Sequence, residues 1–222
     1  MTTTQLPLKA RQQIEKAAGI VRAGGVVAFP TDTVYGLGAS PFVAEAVERI
    51  YAIKQRPRQL PLPILLADES QLETIATPIS DIARLFMQRF WPGGLTIVLQ
   101  KAPSFPGRGI IKETTVAVRI PAHPVTQALI RLAAVPLIGT SANLSGQPSA
   151  LTAHDVVSQL GSTVDFVIDG GTCPGGVEST VVDVTTGAPV ILRKGAVPEA
   201  EITKVYQEYQ KEVTARAYCS RQ

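Results

Sequence analysis

The sequence predicts an α/β fold: a single domain with a mixed parallel and antiparallel sheet and flanking helices. Three observations predict it. Short apolar runs alternate with amphipathic stretches through the first two thirds of the 222 residues, and strand-like runs cluster after that. This order departs from the regular alternation of a doubly wound sheet. No linker of shifted composition and no internal repeat divides the chain, so residues 9–198 are read as one domain and 199–222 as a polar helical tail.

The elements follow in order. Residues 9–23 place Ile14, Ala17, Ala18 and Val21 on one helical face, and Gly24-Gly25 supplies a stop. Val26 to Phe29 is a short buried strand ended by Pro30. Thr31 to Ala39 reads as a polar, then glycine-rich, loop. Ser40-Pro41 offers an N-cap and a first-turn proline for a second helix, with Val43, Val47, Ile50 and Tyr51 on one face and Pro57 as its end. A proline-rich strand over 62–66 follows, then short helices over 69–76 and 80–90. Strands are expected at 95–100 and 115–120, with a Pro-, Gly- and Lys-rich loop between them. Residues 123–134 form an amphipathic helix, 135–138 a strand and 139–148 a polar loop. Further strands are expected near 164–168, 179–184 and 190–192. The last segment carries four acids and four bases and reads as a solvated helix.

Composition excludes several classes. Lys+Arg 21 against Asp+Glu 18 gives a net charge of +3, too mild for a polybasic tail. Hydrophobic residues at 45% against 18% charged exclude a disordered chain. Cys173 and Cys219 stand far apart and no CxxC exists, which argues against a disulfide scaffold or a structural zinc site. His123 and His154 make no metal-ligand spacing, and His123, before Pro124 at a helix start, is read as a surface residue rather than part of a Ser-His-Asp triad. No GxGxxG or P-loop string occurs. The N-terminus has no apolar leader core and no run reaches the ~18 apolar residues of a membrane span, so a cytoplasmic protein with no membrane partner is expected.

What remains is a set of polar loops at strand ends. Thr31, Asp32, Thr33 and Tyr35 follow the first strand. Lys54, Arg56 and Arg58 put three cations within five residues with no acid beside them, and Lys54 continues the buried stripe of Ile50 and Val47. Thr115 and Arg119 share one strand face. Ser141, Asn143, Ser145 and Ser149 line a glycine-containing loop, Ser179 and Thr180 open a late strand, and Arg193 closes the next. Together these suit an anion site, with Arg, Lys and hydroxyls converging on phosphate or carboxylate. Each piece alone has a plainer reading: a solvated helix end for 54–58, turns and caps for the Ser/Asn loop. Arg119, inside an apolar strand, needs either a ligand or an internal carboxylate such as Asp183.

Seven strings carry a resemblance. They are Pro30-Thr31-Asp32-Thr33-Val34-Tyr35-Gly36-Leu37-Gly38, Lys54-Gln55-Arg56-Pro57, Trp91-Pro92-Gly93-Gly94-Leu95-Thr96, Val118-Arg119-Ile120-Pro121, Ser141-Ala142-Asn143-Leu144-Ser145-Gly146, Glu178-Ser179-Thr180-Val181-Val182-Asp183 and Leu192-Arg193-Lys194-Gly195. In this order the chain resembles the YrdC/TsaC family, the threonylcarbamoyl-AMP synthases. The resemblance implies a twisted mixed sheet around a basic cavity, and a nucleotidyltransferase joining L-threonine, bicarbonate and ATP for threonylcarbamoyladenosine in tRNA. It implies a threonine site at Thr33, Arg119, Gly139 and Ser179. It implies an ATP site at Arg56, Thr115, Ser141, Ser149 and Arg193, with Asn143 beside the nucleotide and Lys54 near the phosphates. Lys54 and Arg56 are then the catalytic cations. Mg²⁺ would arrive with ATP, without dedicated protein ligands. Partners would be proteins of tRNA modification, with weak tRNA or double-stranded RNA binding beside them. Many members have an Asn and a His where this chain has Leu60 and Leu65, so contacts made there do not carry over. The chain stops soon after residue 200, so the family's short form, without a C-terminal domain, is expected. The competing reading is a non-catalytic double-stranded RNA or tRNA binder.

Overall fold

The computed structural model describes residues 6–107 and 114–219. The readings made for residues 1–5, for 108–113 in the loop before Thr115, and for 220–222 lie outside the described residues. The elements are α1 (Leu8–Arg22), β1 (Val27–Phe29), β2 (Gly36–Gly38), α2 (Ala44–Lys54), β3 (Ile64–Leu65), α3 (Asp81–Phe90), β4 (Leu95–Gln100), β5 (Thr115–Arg119), α4 (Pro124–Ala133), β6 (Leu137–Ile138), β7 (Thr140–Ser141), α5 (Ala153–Leu160), β8 (Phe166–Val167), β9 (Thr180–Asp183), β10 (Val190–Arg193) and α6 (Glu199–Cys219). Among the described residues no helix is long and apolar enough to cross a membrane.

The strands form two mixed sheets where one was expected. Four strands run in the order β7-β2-β1-β8 and six in the order β10-β9-β4-β5-β3-β6. The division begins in the stretch read as a loop. Gly36-Leu37-Gly38 turns back antiparallel on β1, Ala28 opposite Leu37. Its glycines leave room for the Phe29 ring, which a Cβ at Gly36 or Gly38 would approach to 2.7 or 2.8 Å. The division is completed at Gly139. Leu137-Ile138 pairs with β3 in the larger sheet, whereas Thr140-Ser141 pairs with β2 in the smaller. The chain crosses between sheets in one residue, and a Cβ there would stand 2.2 Å from Leu65 Cγ, so only glycine passes unhindered.

Helix α1 buries Ile14, Ala17, Ala18 and Val21 as its spacing predicts and packs along α4. Their apolar faces meet β1 residues Val27 and Phe29 in one cluster, while the larger core fills between and behind the sheets. Other boundaries move. Helix α2 starts at Ala44, because the Ser40 hydroxyl accepts from Phe42 N and makes a turn rather than a cap. It ends at Lys54, before Pro57, on a left-handed Gln55 (φ +50°). Helix α5 was not anticipated; Thr152 and Asp155 form a reciprocal capping box at its start. Helix α6 is docked in its first half rather than solvated throughout: Ile202 and Val205 are buried and Glu208 pairs with Arg89 of α3 at 3.2 Å. His123, expected on the surface, sits half-buried before α4 with Nδ1 unpartnered, and burial lowers its pKa.

Candidate functional site

A cavity of about 330 Å³ lies between the two sheets. The smaller sheet gives it Gly36, Thr140 and Ser141, and the larger gives an apolar floor of Leu65, Val98, Ala117 and Val181. Of the residues expected in the site, Thr33, Arg56, Arg119, Gly139, Ser141, Ser179 and Arg193 line it. Lys54, Asn143 and Ser149 stand behind this lining. Thr115 lies at the far end of β5, opposite Gln100, with Ala117 between it and Arg119 on the cavity face. Leu60 and Leu65 both line the wall, and the Leu60 carbonyl accepts from Arg56 Nε at 3.2 Å and from Tyr51 OH at 3.0 Å.

At one end stands Arg119, 5% exposed. Its Nε donates to Gly93 O (2.8 Å), Nη1 to Thr33 Oγ1 (3.0 Å) and Nη2 to Asp32 Oδ1 (2.7 Å). The carboxylate partner is therefore Asp32, not Asp183, whose Oδ1 instead accepts from Thr185 N and Oγ1. Asp32 Oδ1 also accepts from Ala122 N at 2.9 Å, which locks the turn after β5. Burial lowers the Arg119 pKa, and Asp32 opposes that shift. The three anchors fix the guanidinium plane at three different N–H groups and leave two of its five for the cavity. Thr33 is held in turn by Thr31 Oγ1 at 2.9 Å, and Ser179 Oγ meets Thr96 Oγ1 at 2.8 Å.

The remaining cations line the same cavity or stand behind its lining. Lys54 is 2% exposed. Its ammonium donates to Ser141 O, to Asn143 O (2.8 Å) and to Asn143 Oδ1 (3.2 Å), so each of its three N–H groups has a protein acceptor. Burial, helped by nearby Arg56, pushes its pKa down to about 8. Asn143 Nδ2 donates to Leu144 O and Gln147 O, closing the loop on itself. Arg56 fixes Nε and Nη2 on Leu60 O and Pro61 O and turns to the cavity. Arg58 is neutralised by a bidentate pair with Glu48 of α2, so the three-cation cluster has an acid that its own stretch of sequence does not show. Arg193 spends Nε and Nη2 on Ser179 O (3.2 and 2.8 Å) and Nη1 on Glu178 Oε2. Ser149 Oγ donates to Glu178 Oε1 at 3.0 Å.

A family model described as "Telomere recombination", for the Sua5, YciO and YrdC proteins, matches residues 19–195. The chain belongs to the Sua5/YciO/YrdC family. Among its relatives, the threonylcarbamoyl-AMP synthase of Pyrococcus abyssi is 45% identical over 206 residues, 90% of this chain and 61% of that protein. The crystal structure of Pyrococcus abyssi Sua5 complexed with L-threonine superposes with a TM-score of 0.84 over 90% of this chain and 58% of that one, at 45% identity. Escherichia coli YciO superposes with a TM-score of 0.76 at 32% identity, over 86% of this chain and 91% of its own. The chain spans 61% and 56% of the first two curated relatives it matches.

Two acids of this Sua5/YciO/YrdC site went unassigned from sequence. Asp32 stood in view between Thr31 and Thr33, but nothing local pairs it with an arginine 87 positions away. Glu178 begins the string in which Ser179 and Thr180 are the residues that read toward the site. The available signal was an acid directly before two hydroxyls at a strand start. Its partner Arg193 comes from the adjoining antiparallel strand.

Proposed function

We propose that this chain is an L-threonylcarbamoyladenylate synthase, a nucleotidyltransferase. It converts L-threonine, bicarbonate and ATP into threonylcarbamoyl-AMP, pyrophosphate and water, for the threonylcarbamoyladenosine of tRNA. The observation that carries this reading is one cavity with two kinds of cationic group. Arg119 presents a buried, fixed fork suited to an α-carboxylate; Arg56 and Arg193 line the same cavity with Ser141 and Ser179 and suit phosphate.

In this reading Arg119, Thr33, Gly139 and Ser179 hold threonine, and Arg56, Thr115, Ser141, Ser149 and Arg193 serve ATP. Lys54 and Asn143 act from behind, because their polar atoms already hold the loop that presents Ser141. The threonine amine forms an N–C bond to bicarbonate carbon and water leaves. A carbamate oxygen then bonds to the α-phosphorus as the bond to the bridging oxygen breaks, and pyrophosphate departs with that electron pair. Negative charge on the phosphate oxygens is met by Arg56 and Arg193, so the chain contributes mainly positioning and electrostatic stabilisation. Among the described residues no group of three or more His, Cys, Asp or Glu could hold a metal ion. Mg²⁺ would arrive as a companion of the ATP phosphates, whose charge it neutralises when bound. The adenylate is unstable in water and calls for a receiving protein of tRNA modification, in the cytoplasm with its substrates.

The test is pyrophosphate release measured with each substrate withheld in turn, with mass spectrometry of the product from labelled bicarbonate. Release should require threonine, bicarbonate and ATP together. ATP turnover indifferent to threonine would overturn the assignment.

A further inference from the structure

We propose that Glu178 is a resident anion of the nucleotide site. Its carboxylate engages the phosphate-binding groups while the site is empty, ATP displaces it, and its return helps pyrophosphate leave. The proposal rests on the ATP reading above. Among the described residues that line the cavity, Glu178 is the one carboxylate. Its partners are the groups assigned to the nucleotide. Oε1 accepts from Ser149 and Oε2 pairs with Arg193, and Ser141 lines the same cavity.

The backbone makes this placement firm. Ala196 N donates to Glu178 O at 2.8 Å, and a Cβ at Gly195 would stand 2.3 Å from that same oxygen, so the strand carrying Arg193 lies directly against the Glu178-Ser179 segment. Arg193 thus commits four of its five N–H groups, to Glu178 Oε2, to Ser179 O twice and to Ser179 Oγ at 3.1 Å, and keeps one for a ligand. A phosphate can take a bidentate grip on it only by releasing part of that set. The carboxylate is the member whose release also removes repulsion from the incoming anion. The pair is partly exposed, 44% on the Arg193 side chain and 31% on Glu178, so water can cover the carboxylate when it swings away. That exposure also screens the pair, which limits the effect to about three- to tenfold.

Glu178→Gln keeps the shape and the hydrogen bonds of one oxygen and removes the charge. Calorimetric titration of wild type and variant with ATP, inorganic pyrophosphate and adenosine, each with Mg²⁺ and with a chelator, separates the alternatives. The expected result is ATP and pyrophosphate bound about three- to tenfold more tightly by the variant, adenosine unchanged, and stronger product inhibition by pyrophosphate. Glu178→Asp, with its carboxylate drawn back from Arg193, should move in the same direction by less, and serves if the Gln variant does not fold. Unchanged affinities would overturn the proposal. So would weakening of ATP and adenosine together, the mark of a sugar contact. Weakening only when Mg²⁺ is present, the mark of a cation ligand, would overturn it too. Wild-type protein that binds neither ATP nor pyrophosphate would instead bring down the functional reading, and the proposal with it.

Discussion

At the scale of single residues, Arg119 meets at once the two geometric conditions that the sequence presented as alternatives. It is both paired inside the protein and open to the cavity. Arg119→Lys retains a charge for Asp32 but loses the planar fork and its bond to Gly93 O. The expected cost is about 1–3 kcal/mol of stability in urea unfolding, with the threonine KM raised at least tenfold and the ATP KM little changed. A large stability loss with an unchanged threonine KM in the folded fraction would leave Arg119 a purely structural residue. Lys54 yields a pH prediction. Its folded pKa of about 8 lies below its ordinary 10.5, so the folded state releases this proton first. Between those values the unfolded chain binds more protons, and this group's contribution to stability rises with pH. Over the same interval the amine loses one of the three donors holding the Ser141–Asn143 loop. ATP affinity should therefore fall as pH passes 8, and Lys54→Arg should remove that inflection from the profile. The inward aim of Lys54 was legible in its stripe with Ile50 and Val47. Its acceptors were not, because they lie 87 and 89 residues away.

At the scale of elements, legibility followed apolar side-chain content. Strand β4, with five of its six residues buried, and β5 announce themselves as apolar runs. The two-residue strands β3, β6 and β8 fall inside the runs expected at 62–66, 135–138 and 164–168, whereas β7 lies in the stretch read as a polar loop, since it exists only through its pairing with distant β2. Strand β2 is hidden by its own glycines, which leave Leu37 as its only side chain. Helix α5 buries just Val156 and Leu160, too sparse a stripe to read, although the Thr152 and Asp155 spacing marks its start. The crossing at Gly139 offers the sharpest test at this scale. Gly139→Ala drives a methyl into the Leu65 side chain, and overpacking of this kind costs about 1–3 kcal/mol. Adding Leu65→Ala should return part of that loss, a coupling visible in a double-mutant unfolding cycle. Additive losses would place the strain in the backbone instead.

At the scale of the whole molecule, the α/β class followed from alternation, and the unpaired look of the loop cations pointed to the one cavity that Arg56, Arg119 and Arg193 line, while the division into two sheets is a matter of long-range pairing that no window of sequence contains. The same pairing governs when the site can exist. The parallel ladders join Val27 to Phe166, Leu95 to Thr180 and Ile64 to Val118, and the cavity lies between the sheets they build. Chain closures this long are slow to form, whereas helices such as α1 and α4 can gather early from local sequence. A refolding experiment should accordingly recover helical circular dichroism before it recovers threonine binding. For a chain emerging residue by residue during synthesis, β10 and Arg193 follow every other strand described, so under the proposed function the cavity gains its full set of cations only after the last of these strands has emerged.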